Sequence, residues 1–129
     1  MVTANRVGPS YGVEISNGQS LVRSDTRKLG AGGDTGMRPH ELLESALAAC
    51  ICMSIDMAAQ RAAMALPALT VTVALERLDH ESGFDVSLRF AAPLSDAQRA
   101  LAREAVAASP VARTLGKTVR VRPATVDDA

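Results

Sequence analysis

One long apolar segment, opened by Pro39 and closed by Pro67, limits what this chain can fold into. Proline is tolerated directly inside a helix start, where its missing N–H would have no partner, and Glu41 and Glu44 set negative charge near the positive helix end. Downstream the pattern runs without a break to Leu66, and Pro67 forbids continuation, which predicts one helix of about seven turns. The segment is entered from a glycine-rich loop, Gly30-Ala31-Gly32-Gly33-Asp34-Thr35-Gly36. That loop lacks the Gly-Lys-Ser/Thr ending of a phosphate-binding loop and the spacing of a dinucleotide site, so conformational freedom at a strand-to-helix turn explains it better.

Elsewhere the chain reads as short alternating elements. Asn17-Gly18 separates Tyr11–Ile15 from Gln19–Val22 and suits a two-residue turn, so the chain is expected to open with a β-hairpin. Leu69–Leu75 and Phe84–Phe90 alternate with period two on either side of a turn at Asp79–Gly83, which predicts a second hairpin. Ser95 is a candidate N-cap for a helix over Asp96–Ala108, with Ala97, Leu101, Ala105 and Ala108 on one stripe and Pro110 near its end. A final strand is expected at Thr118–Arg122, with 123–129 as a frayed tail. With no repeat and no linker, residues 1–129 read as a single α+β domain.

Two Phe, one Tyr and no Trp leave the core to Ala, Val, Leu and Met. Small-residue faces allow close approach between helices, and in a chain of 129 residues they often meet a second copy. Fourteen basic and fourteen acidic side chains cancel without forming a run, so nucleic acid and anionic membranes are not expected partners. Arg120 and Arg122 alternate with valines and read as a solvated strand face. Met1–Val7 has no apolar signal core, which points to a cytoplasmic protein, and Ala46–Ala59 is too short and too interrupted by Asp56 for a membrane span.

Cys50 and Cys52 sit on the long helix, and at 100° per residue they face nearly opposite ways. Cys52 shares a stripe with Glu41, Ser45, Asp56 and Gln60, and reads as structural; Cys50 lies with Leu43, Ala46, Leu47, Met53 and Met57. By chemistry alone, Cys50 reads as an inert packed residue, because burial without a cationic neighbour raises a thiol's pKa. Side chains two apart on a helix diverge, so Cys52 cannot form a disulfide with Cys50 without unwinding. His40, Cys50, Cys52 and His80 have no metal-ligand spacing, and neither a metal nor another cofactor is expected.

The glycine loop, Pro39-His40-Glu41-Leu42-Leu43, the small-residue run ending Ala48-Ala49-Cys50, and Ser109-Pro110-Val111-Ala112-Arg113 together resemble the OsmC/Ohr family. The resemblance covers most of the chain and is most specific between Gly32 and Cys50. It implies an OsmC-like fold assembled as an intertwined homodimer, with Cys50 as peroxidatic thiol at the base of an apolar pocket that both chains complete. Leu43, Leu47 and Met53 are the candidate pocket residues. The resemblance further implies a second cysteine in a Cys-Pro motif that resolves the first as a disulfide, and here that position is Ser109. The family's glutamate directly after the proline is replaced by His40, the candidate orienting group, with Glu41 one residue out of register. A family arginine near the thiolate has Arg6, Arg23 and Arg27 as candidates, none singled out.

Two functions follow. The first is a one-cysteine peroxidase for organic hydroperoxides, whose apolar tails gain from leaving water, with an external thiol as reductant. The alternative is a non-catalytic relative that binds an apolar small molecule in the same pocket.

Overall fold

A computed structural model describes all of residues 1–129 as three helices and three antiparallel sheets. The chain divides into two compact units, residues 1–46 with 73–86, and residues 47–72 with 87–129.

In the first unit β1 (Thr3–Arg6), β2 (Val13–Ser16) and β3 (Leu21–Ser24) form a meander in which Ser16 pairs with Leu21 and Thr3 with Ser16. The hairpin is real, but its loop has four residues rather than two. Asn17 Oδ1 accepts from the N–H groups of Gln19 and Ser20, so the asparagine closes an Asx-type turn inside a longer connection. β1 has no alternating apolar pattern and was not foreseen.

Beyond β3 the chain makes a small ladder, β4 (Arg27–Lys28) with β5 (Ala31–Gly32). Gly32 has φ +92°, and a Cβ there would collide with the Thr26 carbonyl, so this position requires glycine. Asp25 fastens the loop: its carboxylate accepts from the Thr26, Gly33 and Thr35 N–H groups and from Thr35 Oγ1 at 2.7 Å. Those bonds, led by the Thr35 hydroxyl and opposed by burial, hold the carboxyl below its ordinary value of 3.8. Ser24 Oγ donates to the Met37 carbonyl at 2.7 Å, which brings the chain to the start of the long helix.

That helix, α1, runs Pro39–Arg61. Pro39 sits at its first position as expected, and Glu41 Oε1 accepts from the Arg38 N–H at 2.9 Å, half of a capping box. It ends short of Leu66, at about six turns rather than seven. Ala63 takes the left-handed conformation, φ 49°, and Met64 N–H bonds back to the Ala59 carbonyl while Ala63 N–H bonds to Gln60, a Schellman termination built on alanine. Pro67 is therefore not what stops it. At 23 residues, α1 is long and apolar enough to cross a bilayer, more than the Ala46–Ala59 stretch alone suggested. One face, Leu47, Ile51, Ile55 and Ala59, is instead buried in protein.

β6 (Leu69–Arg77) and β7 (Ser82–Phe90) make the second hairpin, closed by Leu78 N–H to the Glu81 carbonyl. Both strands run longer than their apolar alternation. In the second unit α2 (Asp96–Ala107) has Ser95 as N-cap in a full capping box with Gln98. Its buried residues are Ala102 and Ala105, with Ala97 and Ala108 exposed, so the inward face is rotated from the expected stripe. Pro110 does not merely end that helix; it opens α3 (Pro110–Leu115), capped by Ser109. The expected strand at Thr118–Arg122 is absent. A strand needs a neighbour for its backbone groups, and here the segment has no ladder, with Val119 and Val121 exposed at 66% and 96%.

Candidate functional site

Cys50 lies on the flank of the buried face of α1, half-buried, and the start of α3 meets it there. Ser109, with no exposed surface, donates from Oγ to Cys50 Sγ at 3.1 Å. Val111 N–H donates to the same sulfur at 3.5 Å, and Ser54 Oγ, one helical turn along α1, stands 3.9 Å from it. The Ser109 hydroxyl also accepts from Ala112 N–H at 3.4 Å, the cap that begins α3. One buried serine thus both starts a helix and addresses a thiol.

Donors aimed at sulfur favour the thiolate. The Ser109 hydrogen bond, then the Val111 N–H, bring the Cys50 thiol below its ordinary 9.0 against the opposing effect of burial, with Ser54 adding to them. The pKa rise that burial alone predicts for Cys50 is therefore corrected: the neutral donors outweigh desolvation. No arginine figures among the causes.

Cys50 and Ser109 are the two expected site residues that meet. His40 is exposed, with Nε2 3.5 Å from an Arg77 guanidinium nitrogen, and Glu41 is engaged in the helix cap. Leu47 is in the core, whereas Leu43 and Met53 are exposed at 45% and 58%. Cys52 turns away from Cys50, as expected, into a cleft of about 640 Å³ that it lines with Ile55, Asp56, Gln60 and Phe90. Both thiols are free. Val111 and Ser54 were missed. Val111 acts through its backbone and leaves no trace in side-chain chemistry, while Ser54, four residues after Cys50, was readable from helical spacing.

The chain is thus α+β, with a hydrogen-bonded thiol on its long helix faced by the turn into a later helix. The OsmC-like protein family matches residues 32–123, and the chain belongs to that family. No curated protein matches the chain. Among solved structures it resembles a putative osmotic stress induced and detoxification response protein from Psychrobacter arcticus, with TM-score 0.74 and 17% identity over 88% of this chain and 85% of that one. It also resembles an OsmC-like protein from Mycoplasma pneumoniae, TM-score 0.73 and 19% identity over 90% and 86%. A third is an organic hydroperoxide resistance protein from Legionella pneumophila, TM-score 0.62 and 19% identity over 88% and 86%. At such identities the likeness carries the fold.

Proposed function

We propose that the chain is a thiol-dependent reductase of organic hydroperoxides that works through Cys50 alone. The observation that carries this reading is the convergence of the Ser109 hydroxyl and the Val111 N–H on Cys50 Sγ, since only a thiolate attacks peroxide efficiently. The thiolate attacks one peroxide oxygen, an S–O bond forms as the O–O bond breaks, and the departing alkoxide takes a proton to leave as alcohol. An external thiol then attacks the sulfenic acid sulfur, releasing water and forming a mixed disulfide that a second thiol reduces. Family membership and the hydroperoxide resistance described for the Legionella relative support the substrate class.

The working unit is a homodimer in this reading. Leu43, Met53 and Met57 leave one side of α1 apolar and exposed; in this reading a second copy covers that side and builds a pocket over Cys50. The test is consumption of cumene hydroperoxide by the wild-type protein with excess dithiol; none consumed sinks the reading. A second reading, a non-catalytic protein binding an apolar small molecule at the same place, draws on the commitment of Glu41 to a helix cap and on the serine at position 109.

A further inference from the structure

We propose that Ser109 is a positioning residue that holds Cys50 as a thiolate by donating its hydroxyl proton to Sγ, so that the residue in the resolving position activates the first thiol instead of trapping it. The inference rests on the reading of Cys50 as the reacting group.

A serine hydroxyl has one hydrogen and two lone pairs. At Ser109 a lone pair faces Ala112 N–H at 3.4 Å, and the hydrogen has Cys50 Sγ as its acceptor at 3.1 Å. The side chain is sealed from solvent, so no water competes for that proton. Because the same oxygen caps α3, its place is set by the helix and not by a free rotamer, and Val111 N–H, from the first turn, reaches the sulfur at 3.5 Å. None of the groups bonded to Sγ, namely Ser109, Val111 and Ser54, is charged. The lowering of the Cys50 pKa has the Ser109 bond as its leading cause, in agreement with this geometry.

The chemical consequence is separation of activation from resolution. A hydroxyl stabilises the attacking thiolate and releases it when the S–O bond forms, but it cannot form an S–S bond with the sulfenic acid. The reducing equivalents must come from a thiol outside the chain, two per hydroperoxide, with one water released.

The test is the pH profile of Cys50 alkylation by iodoacetamide in a Cys52→Ser background. Ser109→Ala and Ser109→Gly both remove the hydroxyl, and glycine remains an acceptable N-cap, so α3 is conserved in at least the second variant. The expected result is a midpoint moved upward in both, with alkylation at neutral pH slowed roughly tenfold, the order of one hydrogen bond to a charged group. A midpoint equal to that of the Cys52→Ser parent overturns the proposal. So does a parent midpoint no lower than that of a cysteine in an unfolded peptide, a result that needs no Ser109 variant to fold. Hydroperoxide consumption separates the two ideas: a Ser109-dependent midpoint in a protein that consumes none leaves the hold on the thiolate standing and removes the peroxidase reading.

Discussion

Ser109 Oγ and Cys50 Sγ stand 3.1 Å apart although the two residues are 59 positions apart in the chain. That spacing is close enough for a sulfur at position 109 to reach the Cys50 sulfur with small side-chain movement. Ser109→Cys treated with hydroperoxide should lose the mass of the two thiol hydrogens and yield a cross-linked peptide joining positions 50 and 109. Free thiols throughout would show that the two positions do not meet in solution.

The lowered Cys50 pKa links thiol ionisation to stability. An acid whose pKa is lower folded than unfolded stabilises the protein fully above the unfolded value, and that stability is lost as pH falls through the folded value. Between neutral pH and the ordinary 9.0 the thermal midpoint of the wild type should therefore gain relative to Cys50→Ala, with the slope against pH as the readout. Parallel slopes would mean that the thiol is not shifted.

Asp25 gives a second pH effect, at the acid end. Its carboxyl is also lowered, chiefly by the Thr35 hydroxyl, so its contribution is present above 3.8 and disappears as pH drops through the lower folded value. Asp25→Asn turns an acceptor-only group into one whose amide N–H₂ faces the Gly33 or Thr35 donors. The variant should melt several degrees lower at neutral pH and show a flatter acid-unfolding profile than the wild type.

Sedimentation at low micromolar concentration should show a dimer. Met57, half exposed at 50% on α1, lies on the apolar side that the proposed second copy covers, and Met57→Lys should shift the equilibrium toward monomer. A folded wild-type monomer would remove the shared pocket.

The elements with complete local signals were legible in the sequence. Pro39 with two early glutamates marked the start of α1, and Ser95 as an N-cap marked α2. Cys50 and Ser109 became a pair only through the family resemblance, because helical spacing places side chains on a face but says nothing of what a distant segment brings to it. The strand at Thr118–Arg122 failed for the same reason: alternation shows that a segment suits a sheet, not that a neighbouring strand is available. α3 was hidden by a two-sided signal, since proline after a serine suits a helix start as well as a stop. The stop of α1 just before Ala63 could not be foreseen, because alanine rarely takes the left-handed conformation that terminates the helix.

Mass spectrometry with dimedone tests directly whether Cys50 is the sulfur that reacts. Cys50 has donors on its sulfur from Ser109 and Val111, while Cys52 lines a separate cleft. One equivalent of cumene hydroperoxide should place the dimedone adduct on Cys50 before Cys52; a dithiol added without dimedone should reverse the oxidation, and turnover should survive Cys52→Ser and stop in Cys50→Ser. An adduct on Cys52 first, or turnover that persists in Cys50→Ser, would contradict it.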